Sequence, residues 1–238
     1  MSDSTDSPSL VLQGISPPLR WADFRIAAFD MDSTLINIEC IDEIAAVAGK
    51  KAEVAAITEA AMRGEIPDFR ASLMRRLALL EGLDESALQT VLDTRLQFNP
   101  GAEKLLAALH AKGIKTLLVS GGFTFFARVV QAKLGMTAMR ANELEIVGGK
   151  LTGRVLPQAW GGDVVDGEQK RQALTQFAAD HGAALSQCIA VGDGANDLPM
   201  MGAAGLSVAY HAKPAVRAQA KVAINAGGLD RLLEIFAA

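Results

Sequence analysis

The sequence predicts an α/β protein: a doubly wound, mostly parallel sheet with helices on both faces and a helical cap inserted after the first strand. Three observations lead there. Short apolar runs alternate with helix-like stretches along most of the 238 residues. Three of these runs end abruptly in polar motifs, as buried parallel strands end in loops. The stretch 41–96, directly after the first strand, is rich in Glu, Ala, Leu, Arg and Met at spacings near three and four and has almost no strand composition.

Residues 1–24, rich in Ser, Asp and Pro, predict a poorly ordered N-terminal tail. Residues 26–29 form the first apolar run and predict a strand. Gly64 to Pro67 and Gly82 to Asp84 divide 41–96 into separate helices. Asn99-Pro100-Gly101 opens a helix over 102–112, with Gly113 as its stop. A strand over 115–119 follows, then a helix after Gly121-Gly122. Residues 142–147 and 150–155 around Gly148-Gly149 predict a hairpin. A helix over 168–181 leads into a strand over 188–191, and 206–208 and 221–224 predict two more short strands. The expected domains are a core of 25–40 and 97–238 and a cap of 41–96.

Half of the residues are hydrophobic, enough for a full core. The net charge of −4, from 23 basic and 27 acidic residues, provides no basic footprint for nucleic acid. Any anion must therefore be held by local groups. The opening MSDSTDSPSL carries acidic residues where a secretory signal carries basic ones, and no apolar run reaches a membrane span, so a cytoplasmic protein without a membrane partner is expected. Cys40 and Cys188 match no metal-ligand spacing and read as reduced small hydrophobes. His110, His181 and His211 read as surface or packing residues in or near helices.

Chemistry is expected where the strands end. In Asp30-Met31-Asp32-Ser33-Thr34 two carboxylates at i and i+2 of an extended segment face one way. Magnesium favours such hard oxygens, and the second acid remains for proton transfer. An acidic turn or an N-cap is the plainer alternative for this motif alone. In Ser120-Gly121-Gly122 a hydroxyl and two glycine N–H groups meet a helix start, a natural cradle for phosphoryl oxygens, although Gly-Gly after a strand is also an ordinary turn. In Gly192-Asp193-Gly194-Ala195-Asn196-Asp197 the glycines let the backbone bring two aspartates toward one centre. The glutamate that would complete a calcium loop is missing from the following Leu198-Pro199-Met200-Met201. Lys170, at a helix start, would by itself read as a solvated cation.

Taken in order, DxDST, SGG, Lys and GDGxND resemble the motifs of the haloacid dehalogenase superfamily over residues 29–197. The segments FDMDSTLINIECIDEIA, EAAMRGEIPDFRASLMRR, VSGGF, GKLTG and AVGDGANDLPMMGAAGLSVAYHAKP resemble its phosphoserine-hydrolysing branch, and nearly everything after residue 24 takes part. The resemblance implies an HAD-like fold and a magnesium-dependent phosphatase that releases serine and phosphate from phosphoserine, the last step of serine biosynthesis. It implies Asp30 as the nucleophile that becomes an aspartyl-phosphate, and Asp32 as the acid and later the base. Magnesium would be held by the Asp30 carboxylate, the Asp32 backbone carbonyl and Asp193, with Asp197 supporting them from behind. Ser120, Gly121 and Lys170 would neutralise the phosphoryl group, with Asn196 beside it. Glu39 would take the substrate ammonium and Arg76 its carboxylate, between apolar walls of Met62 and Phe69.

Two departures from the family pattern stand out: Cys40 occupies a place where a small hydroxyl residue is expected, and Pro67 adds a residue between Gly64 and Phe69. The second leaves Arg75 as an alternative to Arg76. Hydrolysis of another small phosphomonoester, transfer to an amino-acid alcohol such as homoserine, and a non-catalytic module binding magnesium and phosphate are the competing readings. The expected partner is a small molecule, and the expected assembly a monomer or homodimer.

Overall fold

The computed structural model describes residues 9–158 and 164–237. Its main sheet has seven strands: β1 (Leu10–Leu12), β2 (Ile26–Phe29), β3 (Lys115–Phe123), β4 (Ala138–Asn142), β7 (Cys188–Gly192), β8 (Leu206–Tyr210) and β9 (Val222–Ile224). The order is β1-β9-β8-β7-β2-β3-β4, all parallel except β1 against β9. Every residue of β2, β7 and β8 is buried. Continuous apolar runs of this kind suit strands covered on both faces. One apolar cluster gathers Phe29, Leu118 and Val191 from one face of the sheet, and a second gathers Ala28, Val119 and Ala190 from the other.

Helices α1 (Cys40–Val47), α2 (Lys51–Met62), α3 (Phe69–Ala78) and α4 (Ser86–Thr94) lie between β2 and β3. Besides the anticipated breaks, Gly49 at φ 69° separates α1 from α2. The chain leaves and re-enters the core side by side, with Asn37 N donating to Gln97 O at 3.0 Å and Asn99 N to Leu35 O at 2.9 Å. The hairpin β5 (Leu144–Val147) and β6 (Lys150–Val155) grips the helical block: Gly82 N donates to Leu151 O at 2.8 Å, and Leu151 N returns a bond to Leu83 O at 2.9 Å. The remaining helices are α5 (Ala102–Ala111), α6 (Thr124–Leu134), α7 (Gly167–Asp180), α8 (Leu198–Ala203) and α9 (Pro214–Arg217).

Three expectations need correction. Residues 1–8 lie outside the described residues, but from Ser9 the supposed tail is ordered. Its strand β1 extends the sheet, Trp21 stacks on Phe236 at 3.9 Å between ring centroids, and the Trp21 indole N–H donates to Ala237 O. A three-residue apolar run such as Leu10-Val11-Leu12 is too short to stand out in a polar stretch. Strand β3 continues through Ser120-Gly121-Gly122 instead of ending at 119, and β4 adds a strand that the hairpin reading had missed. His211 follows β8 at φ 46° and hydrogen-bonds Gly227 O, an exposed residue in a tight turn just ahead of the helix Pro214–Arg217, in keeping with its reading as a surface residue near a helix. Cys40 and Cys188 are both free and buried. Among the described residues no helix is long and apolar enough to cross a membrane.

Candidate active site

The sheet order decides where the motifs meet. β7, β2 and β3 are consecutive neighbours, so the three polar motifs at their carboxyl ends converge although they are far apart in sequence. They form the floor of a cavity of about 960 Å³ whose opposite wall comes from α1, α2 and α3.

Asp30 ends β2 and stands 5% exposed on the floor. Lys170, fully buried on α7 beneath it, donates to Asp30 Oδ1 at 2.5 Å and to Asp197 Oδ1 at 2.6 Å. Asp197 Oδ2 in turn accepts the backbone N–H groups of Asp193 (3.2 Å) and Gly194 (3.0 Å). Both Asp197 oxygens are thus engaged in fixing Lys170 and the turn that presents Asp193. Asp193 and Asn196 line the cavity, and Thr34 Oγ1 donates to Asp193 Oδ1 at 3.3 Å.

After Asp30 the chain turns sharply, with Ser33 at φ 58°, and directs Asp32 to the same cavity. Ser33 Oγ donates to Glu39 Oε1 at 2.6 Å, tying the first motif to the start of α1. Among the described residues, Asp32 Oδ1 is buried without a hydrogen-bond partner. Burial and then the nearby Glu39 push the Asp32 carboxyl up to about 7. The thiol of Cys40 lies against Asp32; burial first, and that carboxylate second, hold it well above its ordinary range.

Ser120 is fully buried and its Oγ accepts Gly122 N–H at 2.8 Å, leaving its O–H to donate. No side chain fits at the next two positions. A Cβ on Gly121 would lie 2.7 Å from the Phe69 ring, and one on Gly122 would lie 2.8 Å from Asp32 Oδ2.

Helix α3 supplies much of the cap wall. The Asp68 carboxylate caps it by accepting Ala71 N–H at 2.7 Å. Phe69, Ser72 and Arg76 then recur at i, i+3 and i+7, one face of a helix, and all line the cavity. Arg75, about 100° further round the helix, is exposed and does not line the cavity, so the arrangement favours Arg76 and the added Pro67 is absorbed in the loop before α3. Burial lowers the Arg76 guanidinium, opposed by the anions Asp42 and Glu39. Glu39 is open to the cavity, yet the walls desolvate it enough to raise its carboxyl, and the Ser33 hydroxyl opposes the rise. Met62 is 61% exposed at the mouth, where Lys213 Nζ approaches its sulfur at 3.3 Å.

Sequence reasoning passed over Asp42, Lys213 and Asn142. Asp42 lines the cavity one turn after Glu39. The i, i+3 spacing on α1 was the available signal. Lys213 offered only a lone cation before a proline, and Asn142 offered none, being a single buried polar residue at the start of the expected hairpin and in fact the end of β4.

The donor set fits magnesium. Asp30, Asp193 and Asp197 each offer a carboxylate oxygen, all within 4.8 Å of one another. Hard oxygens at this density suit a small dication. With both Asp197 oxygens engaged, the residues that would hold the ion are Asp30 and Asp193. Burial and then Asp197 push Asp193 up to about 7, as expected of clustered carboxylates facing too little positive charge.

Comparison with known proteins agrees. The family model described as haloacid dehalogenase-like hydrolase matches residues 27–202. A protein of Albidiferax ferrireducens named phosphoserine phosphatase is 58% identical over 236 residues, covering 99% of each chain. A solved structure described as the phospho-aspartyl intermediate analogue of phosphoserine phosphatase has TM-score 0.82 and 37% identity, covering 90% of this chain and 99% of that one. A substrate-bound phosphoserine phosphatase complex has TM-score 0.82 and 36% identity with the same coverage. A match over this span, with three strand-end motifs in one cavity, places the chain in the haloacid dehalogenase-like hydrolase family.

Proposed function

We propose that this protein is a magnesium-dependent phosphatase that hydrolyses O-phospho-L-serine to L-serine and inorganic phosphate. One observation carries the reading: a single cavity holds an aspartate seated on a buried lysine at its floor and an acid, Glu39, near an arginine, Arg76, along its cap side. That is the charge complement of a phosphate, an ammonium and a carboxylate on one small molecule. The relatives named phosphoserine phosphatase support the same substrate.

In the first step an Asp30 oxygen attacks phosphorus, the bond to the serine oxygen breaks, and Asp32 gives its proton to that oxygen. In the second, water attacks the aspartyl-phosphate while Asp32 takes its proton, and phosphate leaves with Asp30 restored. A carboxyl near 7 suits a group that must both give and accept a proton at neutral pH. Magnesium, when bound, supplies the positive charge that lets a phosphate dianion approach a carboxylate. Lys170 contributes a fixed charge from below, and the Ser120 hydroxyl and the Gly121 N–H donate to phosphoryl oxygens, with Asn196 beside them. Glu39 and Arg76 hold the serine end between Met62 and Phe69. The helical block closes over the phosphoenzyme and excludes water until serine has left. Such a biosynthetic role belongs in the cytoplasm, with a small molecule as partner.

A phosphate-release assay over a panel of phosphorylated small molecules tests the reading, with phosphoserine expected to give the highest kcat/KM. Serine and phosphate should appear in equal amounts whether or not homoserine is present. Labelled phosphohomoserine as the main product, or no preference for phosphoserine, would overturn it.

A further inference from the structure

We propose that Asn142 is a positioning residue for the phosphoryl cradle, its single buried amide fixing both the Gly121 carbonyl and the approach to the Lys170 helix. The inference rests on the phosphoryl-transfer reading of the cavity.

The pairing of β3 with β4 slips at the cavity floor. Val119 pairs with Arg140, and the next pair is Phe123 with Asn142, so Ser120, Gly121 and Gly122 face only Ala141 across the ladder. The slip frees these backbone groups for a ligand, but it also deprives the Gly121 carbonyl of a strand partner. Asn142 fills that place: its Nδ2 donates to Gly121 O at 2.8 Å. Its Oδ1 accepts Val165 N–H, also at 2.8 Å, and the residue is fully buried. Val165 packs back on the cradle, its carbonyl lying 3.3 Å from where a Gly121 Cβ would be. The next residue, Asp166, caps α7 by accepting Gln169 N–H at 2.9 Å, and Lys170 N donates to its carbonyl at 2.9 Å. One planar amide therefore spans the two sides of the phosphoryl site, the glycine cradle and the base of the lysine helix.

Both bonds have to come from one short side chain. An aspartate there accepts but does not donate, and it sets an anion against the Gly121 carbonyl; an alanine does neither. A buried carbonyl left without its donor shifts or draws in water, and the Gly122 N–H, which shares its peptide plane and holds the Ser120 hydroxyl at 2.8 Å, moves with it. The amino-acid end of the cavity, built from α1 and α3, makes no bond to Asn142 among the described residues. The predicted defect is thus confined to the phosphoryl end, which a general packing defect is not.

The test compares the full-length parent with Asn142→Asp and Asn142→Ala, each with magnesium, measuring kcat and KM for phosphoserine and product inhibition by inorganic phosphate and by L-serine. For Asn142→Asp, kcat/KM is expected to fall by about ten- to a hundredfold and inhibition by phosphate to weaken tenfold or more, while inhibition by L-serine stays within about twofold. Unchanged phosphate inhibition, or equal weakening for phosphate and serine, overturns the proposal. Should Asn142→Ala fail to fold, Asn142→Asp, which keeps the shape and the Val165 bond, decides; failure of both to fold makes Asn142 purely structural and also overturns it. A parent that turns over some other phosphomonoester faster would refute the substrate reading alone, because the phosphate arm still judges Asn142 with that substrate.

Discussion

Lys170 Nζ lies 2.5 Å from Asp30 Oδ1, with the lysine side chain fully buried and the aspartate side chain 7% exposed. The pKa values of both partners rise. Burial pulls the lysine down, but Asp197 and Asp30 together more than offset it. Burial and then Asp197 hold Asp30 well above the usual carboxylate range in spite of the lysine. One cation among several acids is well satisfied, whereas the acids share too little positive charge. Replacing Lys170 by Met should therefore strand two buried carboxylates and lower stability by about 3–5 kcal/mol, read by urea unfolding, together with near-complete loss of turnover. Because the folded pKa of Lys170 is raised, its contribution is fully present below the ordinary lysine pKa and is lost only as pH climbs through the folded value. The stability difference between parent and Lys170→Met should thus persist across neutral pH.

The same shortage of positive charge sets the pH dependence of the metal-free protein. Asp32 and Asp193 are each pushed up from 3.8 to about 7, chiefly by burial. Between these values the folded state binds protons that the unfolded state has released, so stability falls as pH rises from about 4 to about 7. Magnesium competes with those protons and should raise the melting temperature more at pH 8 than at pH 5. Calorimetry in buffers of different ionisation enthalpy should register proton release on binding at pH 6. A magnesium-induced shift independent of pH would contradict the donor set named above.

The strand-end motifs were legible because a buried parallel strand leaves a continuous apolar run that stops where the polar residues begin, as Phe29-Asp30 and Val191-Gly192-Asp193 do. Their meeting in one cavity depends on strand order, which no local pattern encodes. The facing of α3 was half legible: Phe69 and Arg76 share a helical face by spacing alone, but the side turned toward the floor is fixed by packing against the core. Strand β4 and its Asn142 were hidden because a single buried asparagine has no periodicity, and Ser-Gly-Gly imitates a turn even where β3 runs through it.

Asp30→Asn should abolish turnover while leaving melting within a few degrees of the parent, because the amide keeps the shape and loses the anionic nucleophile. Rapid quench of the parent with labelled phosphoserine should show a burst of phosphate on Asp30. Label on a serine or histidine would refute the aspartyl-phosphate route.

At the opposite side of the molecule, Trp21 stacks on Phe236, and Lys112 Nζ lies 5.5 Å from its ring centroid. Trp21→Ala should lower stability by about 2 kcal/mol, less than the ~3–5 kcal/mol of a fully buried aromatic, because the ring is half-buried. KM for phosphoserine should not change. A variant as stable as the parent would show that β1 and the Leu19 backbone bonds to Ile235 and Ala237 hold the 9–24 segment without the Trp21 ring.

The guanidinium of Arg76 faces the cavity and that of Arg75 faces solvent, although the two are neighbours in sequence. If Arg76 holds the substrate carboxylate, Arg76→Ala should lose roughly 2–4 kcal/mol of transition-state stabilisation for phosphoserine, since a desolvated carboxylate is left unpaired. Phosphoethanolamine, which lacks that carboxylate, should be a poor substrate of the parent and should lose far less on the same change. Arg75→Ala should be near neutral for both. Removing Arg76 also leaves Asp42 and Glu39 without their nearest guanidinium, so a general weakening of the cap would depress both substrates together. Comparing kcat/KM for the two substrates across the parent and the two variants separates these effects. A loss confined to phosphoserine in Arg76→Ala identifies the carboxylate ligand; equal losses for both substrates, or a selective loss in Arg75→Ala, would transfer that role elsewhere.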